Sequence, residues 1–377
     1  MIEILAGGAL SSIQDRGRIG LRSLGVPRAG TLVPPWMSVA NALVGNAPDA
    51  PVIECFEGGL RMRLVERTSI IAHAGEADIV AMREGGRRPL APWRAYRLDA
   101  GTEIAVRDSG RARLTVIAVR SLAVPLVLGS ASTYARAGLG GVQGRALAAG
   151  DRLALEEHGT GDRLRNGSGN DSERGLDERV GTGEPNELDH RPPMSCEPFL
   201  TPLDEIVLRA VPGPQSDAFG DDELERFFAT RWTLSSESDR MGTRLDGPAL
   251  VHRDADARDI VSDAIVPGSV QVPGSGQPII MLADAHTAGG YPKIATVVSS
   301  DLSLLGIHRA GTSLRFMRVD VDEAIRHTRE RADELARHLG TLRPAPVDVP
   351  DTARLLATNL IDGVTDGVVE LDEAPTP

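Results

Sequence analysis

One short pattern recurs in both halves of this chain and constrains its fold more than any other feature. A glycine and a polar residue are followed by apolar residues at every second position, at residues 101–106, 150–155 and 311–316. Period-two alternation after a turn is typical of a strand with one buried face. Closed or nearly closed β-barrels accommodate such strands better than layered α/β folds do.

The frequency of glycine and proline supports the same architecture. The 377 residues include 41 glycines and 25 prolines among short runs of Val, Ile and Leu, so turns and strands are favoured over long helices. The length exceeds that of one ordinary domain. We therefore predict a mainly β protein with two β-barrel domains, 1–157 and 193–319, followed by a C-terminal helix and tail at 320–377.

Residues 158–192 separate the two predicted domains. They are rich in Gly, Asp, Arg, Ser, Asn and Glu, and they contain too little apolar surface to offset the entropy of ordering. We predict a flexible polar linker, with a partner-binding arm as the alternative.

Three helices are expected. Residues 34–43 begin with two prolines, which suit a first helical turn, and residues 221–230 begin with acidic residues, which favour a helix N-terminus. Residues 320–339 carry one apolar stripe among charged residues, which indicates a helix that packs on a domain. Beyond residue 340 we expect a loosely held tail, with a strand or short helix within 352–360.

Composition excludes several classes of partner. The net charge of −12 argues against nucleic acid, which requires a basic surface, and 3% aromatic residues offer little stacking surface. Cys55 and Cys196 are the only cysteines, too few for a disulfide framework or a cysteine zinc site. Neither a leader segment nor an apolar run of about 18 residues occurs. We expect a cytoplasmic protein that binds no membrane and no structural metal.

The strongest candidate for a ligand site is the turn at residues 287–295. Gly289 and Gly290 allow backbone amides to approach a ligand, Pro292 restricts the turn, and Lys293 adds a compact cation. These features predict an anion-binding turn that also includes Thr287 and Tyr291. The alternative is that the glycine pair merely begins a strand.

Two other segments add candidate residues. Arg240 and Arg244 flank Gly242, and their guanidinium groups could be directed at one carboxylate or phosphate. An ordinary surface hairpin is the alternative. His286 lies between Asp284 and the glycine turn, where an imidazole could exchange protons near neutral pH or could be a satisfied polar residue at a strand end.

Several familiar motifs are absent. The glycines at 138–145 do not have the spacing of a dinucleotide-binding fingerprint, and no phosphate-binding G-x-x-x-x-G-K-[ST] or G-x-S-x-G nucleophile motif occurs. If the protein uses ATP, the nucleotide site is unconventional or lies on a partner.

Many phrases together resemble one family, that of the biotin-dependent carboxyltransferase-like proteins. Its members include the C subunit of bacterial ATP-dependent 5-oxoprolinase, allophanate hydrolase subunit 2 and the regulator KipA. The phrases span about four fifths of the chain. They lie at residues 2–5, 12–18, 24–27, 40–46, 124–134, 213–215, 238–247, 268–273, 276–279, 284 and 287–295.

The resemblance implies two cyclophilin-like β-barrels and a component that works with partners similar to the B and A subunits of 5-oxoprolinase. With them, the assembly would open 5-oxoproline, a lactam, to glutamate at the expense of ATP. The lactam carbonyl is a poor electrophile, and cationic donors could stabilise phosphate or oxyanion charge after activation. On this interpretation Lys293, Asp284 and His286 are the catalytic candidates. The substrate- or anion-binding candidates are Arg240, Gly242, Arg244, Gln271, Thr287, Gly289, Gly290 and Tyr291.

Two positions depart from the family pattern. Val33 stands where the family usually has aspartate, and Ala285 stands where it usually has arginine. These departures favour an alternative, a non-catalytic regulator that binds a partner protein. A third possibility is the carboxyltransferase component of a biotin-dependent system such as urea amidolyase. Because no Ala-Met-Lys-Met segment is present, biotin would arrive on another chain.

Overall fold

The computed structural model describes residues 1–84, 86–156 and 192–346. Nearly all of the predicted linker at 158–192 lies outside these residues, as does the element expected within 352–360. The described part is mainly β, as predicted, and its strands fall into a first half, residues 1–156, and a second half, residues 192–346.

The first half contains two antiparallel sheets whose facing surfaces share one apolar core. A sheet of seven strands has the order β11-β12-β1-β4-β9-β6-β7, and a sheet of five has the order β2-β3-β10-β5-β8. The strands are β1 (Ile2–Gly7), β2 (Leu10–Gln14), β3 (Val52–Phe56), β4 (Leu60–Leu64), β5 (Ser69–Ala74), β6 (Asp78–Arg83), β7 (Gly86–Leu90), β8 (Ala95–Leu98), β9 (Glu103–Asp108), β10 (Leu114–Val119), β11 (Leu122–Ala123) and β12 (Arg152–Leu155).

The five-stranded sheet is buried on both faces. Every residue of β3, β5 and β10 is buried, because one face packs on the seven-stranded sheet and the other on helix α1 (Pro34–Val44). Such strands read as continuous apolar runs rather than as alternating ones. Glu54, in the middle of β3, is therefore an acidic residue inside the protein.

The second half is built on a closed barrel of seven strands, in the order β14-β21-β18-β19-β16-β15-β22. The parallel pairing of β14 with β22 closes the barrel, and its other pairs are antiparallel. The strands are β13 (Met194–Ser195), β14 (Glu205–Pro212), β15 (Arg231–Ser238), β16 (Gly242–Asp246), β17 (Asp263–Ala264), β18 (Ser269–Gln271), β19 (Ile279–Met281), β20 (Ala288–Gly289), β21 (Lys293–Val297), β22 (Ser313–Arg318) and β23 (Arg343–Pro344).

The three copies of the recurring glycine pattern form strands, as predicted, and these strands are β9, β12 and β22. On β22 the alternation directs Leu314 and Phe316 into the barrel, where Phe316 stacks on Phe227 with ring centres 4.4 Å apart. The sequence pattern therefore identified strands on both sides of the linker and the faces that they bury.

The three predicted helices are confirmed, and each end lies within one residue of its predicted position. They are α1, α2 (Asp221–Ala229) and α4 (Val321–Leu339), and a fourth helix, α3 (Leu302–Ile307), was not predicted. Asp320 and Glu323 form a reciprocal capping box at the start of α4. The six-residue α3 is too short to show helical periodicity. Among the described residues, no helix is both long and apolar enough to cross a membrane.

The two halves share an apolar core. Helix α1 and the five-stranded sheet contribute one side of it, and the barrel interior contributes the other. Trp36 of α1 is fully buried and donates its indole N–H to the carbonyl of Phe199, at 2.7 Å. The site residues described below lie where the halves meet.

Candidate functional site

Arg240 forms a polar network at the junction of the halves. It lies in the turn between β15 and β16 and is 7% exposed. Its Nε and Nη2 donate to the two carboxylate oxygens of Asp284, both at 3.1 Å, and Nη2 also donates to the carbonyl of Gly30 at 2.5 Å. Its Nη1 donates to Glu54 of β3. One arginine of the second half is thus held by two groups of the first half.

Glu54 is itself fixed by the chain that precedes α1. Its Oε2 accepts hydrogen bonds from Thr31 Oγ1 and from the Leu32 backbone N–H, both at 2.8 Å. Burial disfavours the Arg240 charge, but Glu54 and Asp284 outweigh this effect and raise its pKa. A buried ion pair of this kind needs all its hydrogen bonds, because removal of one partner leaves an uncompensated charge.

The loops beside this network are tied together by Asp15. Its carboxylate accepts hydrogen bonds from the backbone of Gly17 and Ala131 and from the hydroxyls of Ser130 and Ser132, at 2.5–2.7 Å. Asp15 therefore joins two of the phrases that carried the family resemblance, 12–18 and 124–134.

A cleft of about 450 Å³ opens between the halves next to these loops. The first half contributes residues 25–27 and Tyr134, and the second half contributes His286 and Thr287. Burial and the nearby charge of Asp284 raise the pKa of Tyr134, so this phenol is a neutral donor at physiological pH. The cleft brings part of the predicted glycine turn to a surface shared by both halves.

His286 is exposed in this cleft, and its backbone is fixed by the first half. Arg22 Nη2 donates to the carbonyls of His286, at 2.9 Å, and of Ile265. The side chain of His286 is therefore accessible while its main chain is held, as a proton-exchanging group requires.

Lys293 forms a second polar network, behind the glycine turn. Its ammonium group is 2% exposed and lies 2.8 Å from Asp263 Oδ2, and its backbone N–H donates to Gln215 Oε1 at 3.3 Å. Gln215 also donates to Asp263 Oδ2 at 3.0 Å. The hydrogen bond from Lys293, supported by the Ala264 N–H and by Gln215, lowers the pKa of Asp263 to about 2.

Gln271 and the glycine turn surround Lys293. Gln271 is the cross-strand partner of Lys293, and its Nε2 lies 3.5 Å from the carbonyl of Tyr291, whose side chain is exposed. A Cβ at Gly289 would approach Gln271 Nε2 to 2.9 Å and Ile265 to 2.5 Å. Gly289 is therefore needed for close packing.

The backbone of the turn is paired with a neighbouring segment. Strand β20 forms a two-stranded ribbon with β17, and the N–H groups of Ile265 and Ile260 donate to the carbonyls of Thr287 and Gly290, at 3.0 and 2.8 Å. These carbonyls are acceptors and cannot hold an anion. The cationic group beside the turn is the side chain of Lys293, and the anion-binding turn stays a prediction.

The structure does not bring Arg244 to Arg240. Arg244 points out of the barrel, is 47% exposed, and lies 3.5 Å from Glu237. Successive residues of β16 alternate between the two faces of its sheet, and Arg244 falls between the buried Thr243 and Leu245. Gly242 packs against Ile279 of β19 at the start of that strand. The expected convergence of two guanidinium groups is wrong for this pair.

Both departures from the family pattern are buried among apolar groups. Val33 is fully buried at the start of α1 and leaves so little room that a Cβ at Gly306 would approach its Cγ2 to 2.8 Å. Ala285 is also fully buried, in a small cluster with Ile265 and Met281. Neither position faces the cleft that contains His286.

Sequence reasoning missed two acidic partners of the predicted cations. Glu54 carried a usable signal, since an acidic residue within a continuous apolar strand requires a partner. Asp263 carried none, because it lies in an irregular polar segment and reaches Lys293 only through the pairing of β17 with β20.

Known proteins resemble this chain over most of its length. The carboxyltransferase domain family, subdomain A and B, matches residues 24–318. The C subunit of 5-oxoprolinase from Escherichia coli is 31% identical over 86% of this chain and 94% of its own length. Urea amidolyase of Lachancea kluyveri is 28% identical over 88% of this chain, which corresponds to 17% of that much longer protein.

Structural comparison agrees with the sequence comparison. The crystal structure of the K. lactis urea amidolyase matches 89% of this chain with a TM-score of 0.75, over 20% of that protein and at 23% identity. The match extends over both halves, and it supports the fold alone. The sequence match across 24–318 places the chain in a known group: the protein belongs to the carboxyltransferase domain family, subdomain A and B.

Proposed function

We propose that this chain is the counterpart of the C subunit in an ATP-dependent 5-oxoprolinase, which hydrolyses 5-oxoproline to glutamate together with partners similar to the A and B subunits of that enzyme. One observation carries the proposal. The chain corresponds almost end to end to the 5-oxoprolinase C subunit, whereas it corresponds to less than a fifth of urea amidolyase. We also propose a cytoplasmic location, since the thiols of Cys55 and Cys196 are both free.

The Lys293 network supports a role in stabilising negative charge. Lactam opening creates an oxyanion, and a fixed cation placed close to it lowers the barrier. The side chain of Lys293 is buried, but its partner Asp263 is 47% exposed. Because Asp263 already contacts solvent, an anionic substrate group can displace it from the ammonium group without leaving an unpaired carboxylate in the core.

Asp284 and His286 have different proposed roles. His286 is accessible in the cleft and is the candidate for proton transfer. Both Asp284 oxygens bind Arg240, so Asp284 acts by fixing the segment that carries His286. Arg240 is accordingly a positioning residue. ATP supplies the phosphoryl group that activates the lactam oxygen, and we assign its binding to a partner chain.

The decisive test is reconstitution with candidate A and B partners. We expect ATP-dependent formation of glutamate from 5-oxoproline only when all three proteins are present. Omission of this chain should abolish turnover, and omission of each partner is the matched control. Full turnover without this chain would refute the proposal, and a stable complex without turnover would favour a regulator.

A carboxyltransferase function is the second candidate, and the relationship to urea amidolyase favours it. Biotin would then be attached to another chain. Addition of a carboxylated biotin donor in place of ATP distinguishes the two functions, because only the carboxyltransferase would consume it.

A further inference from the structure

A second cleft, of about 380 Å³, lies between the halves and shares no lining residue with the cleft that contains His286. Phe56 and Leu234 form an apolar surface within it. Arg113, Thr243 and Asp239 supply its principal polar groups. Arg240, the positioning residue of the candidate site, also lines this cleft, whereas Lys293, Asp284 and His286 do not.

Arg113 is a buried cation without a carboxylate partner. It is 9% exposed, its Nη2 donates to the carbonyl of Ser238 at 2.7 Å, and its guanidinium lies 5.3 Å from the centre of the Phe56 ring. It forms no ion pair within the described ranges. Burial lowers the pKa of Arg113, and the more distant charges of Asp239, Glu54 and Glu57 oppose that effect. A bound carboxylate would satisfy its remaining donors.

Thr243 provides a second unsatisfied group in the same cleft. It is 1% exposed, and its Oγ1 has no hydrogen-bond partner in the part of the chain that the structure describes. A buried hydroxyl without a partner is costly, and buried polar groups in native proteins are rarely left in this state. A ligand oxygen in the cleft would complete its hydrogen bonding.

The cleft also contains an acidic group. Oδ1 of Asp239 accepts hydrogen bonds from the backbone of Met241 and Gly242, at 2.7 and 3.1 Å, whereas its Oδ2 accepts none from the described residues. Glu57, the other acidic residue in the cleft, is paired with Arg309 at 3.0 Å. Asp239 directly follows Ser238, whose carbonyl binds Arg113, so opposite charges lie side by side.

We propose that this cleft binds a small α-amino acid. Its carboxylate would bind Arg113 and Thr243, and its ammonium group would bind Oδ2 of Asp239. The side chain of the amino acid would cover Phe56 and Leu234. This assignment does not rest on the proposed function, because it uses a different set of residues.

Calorimetric titration of the intact chain tests the assignment. The probes are L-alanine, L-glutamate and acetate, of which the last lacks an ammonium group. We expect saturable binding of at least one amino acid, and binding of acetate about ten-fold or more weaker.

Variants locate the binding. Asp239→Asn keeps the Oδ1 acceptor and should weaken amino acid binding about ten-fold without affecting acetate, while Arg113→Met should remove both. Thr243→Val should weaken binding several-fold, about as expected for one hydrogen bond. The matched control is Arg231→Met, which removes an exposed arginine paired with Glu205. His286→Ala, in the other cleft, should also leave the affinity unchanged.

The assignment is overturned if neither amino acid binds saturably, or if acetate binds as tightly as the amino acids. It is also overturned if Asp239→Asn and Thr243→Val both bind with wild-type affinity. These two variants preserve the turn and the side-chain volume, so they decide the question even where Arg113→Met fails to fold.

Discussion

Arg240 and Lys293 are both buried cations paired with carboxylates, but the two networks differ in the solvent exposure of those carboxylates. Arg240 binds Glu54, which is fully buried, and Asp284, which is mostly buried. Lys293 binds Asp263, which is half exposed. The first network cannot change partners without leaving charge in the core, whereas the second can.

We propose that this difference gives the networks different tasks. The Arg240 network joins the two halves and holds Asp284, two residues before His286. In our proposal the Lys293 network supplies a cation whose carboxylate partner can be replaced. Stability should therefore depend mostly on Arg240, and chemistry on Lys293.

The largest expected effect on stability is that of Arg240→Met. This change leaves Glu54 buried without its cation, and we expect the free energy of unfolding to fall by about 3–5 kcal/mol. Urea denaturation followed by tryptophan fluorescence measures it, since Trp36 and Trp232 lie in the shared core. A loss below about 1 kcal/mol would contradict our assignment that Arg240 joins the two halves.

Thr31→Val should have an intermediate effect. It removes one donor to Glu54 Oε2 but keeps the backbone N–H of Leu32. We expect a loss of about 1.5–3 kcal/mol, as for one hydrogen bond to a charged group. The double variant with Arg240→Met should lose less than the sum of the single changes, because the two residues share Glu54.

Stability should depend on pH through Asp263. The Arg240→Met variant should keep this dependence, because it leaves Lys293 and Asp263 unchanged. The pKa of Asp263 is lowered from 3.8 to about 2, so its contribution to stability is complete above about pH 4 and is lost as the pH falls towards 2. We expect the difference in urea midpoint between the protein and Asp263→Asn to shrink across that window. A difference that stays constant from pH 5 to pH 2 would show that Asp263 is not held by Lys293.

The smallest effect is expected for Arg244→Met. Arg244 is nearly half exposed and its carboxylate neighbour is also exposed, so the free energy of unfolding should change by no more than about 0.5 kcal/mol. The same urea titration serves as a matched control for Arg240→Met, since both remove an arginine from one hairpin. Equal losses in the two variants would show that the buried Arg240 contributes no more to stability than an exposed arginine does.

The sequence predicted local features better than it predicted partners. Alternation at 311–316 identified β22, and the apolar stripe among charged residues at 320–339 identified α4 almost to the residue. Both depend on short-range periodicity. The six residues of α3 and the two-residue strands β17 and β20 are too short to carry such a signal.

The candidate site shows the same limit. Arg240, Asp284 and Lys293 were identified as important charged residues, but their partners Glu54 and Asp263 lie 186 and 30 positions away from the cations that they bind. Such pairings are set by sheet topology, which no local pattern encodes. The prediction that Arg244 accompanies Arg240 was wrong because it assumed that a turn at Gly242 directs both side chains to one place. Gly242 instead begins β16, and Arg244 lies on the exposed face of that strand.

The most direct test of the central claim is the rate of glutamate formation by the reconstituted complex containing Lys293→Met, with assembly checked by size-exclusion chromatography. We predict a rate about 10²–10³-fold lower in an intact complex, the loss expected when a preorganised cation is removed from a developing oxyanion. A wild-type rate in the assembled Lys293→Met complex would contradict the account, because the Lys293 network would then have no part in the chemistry.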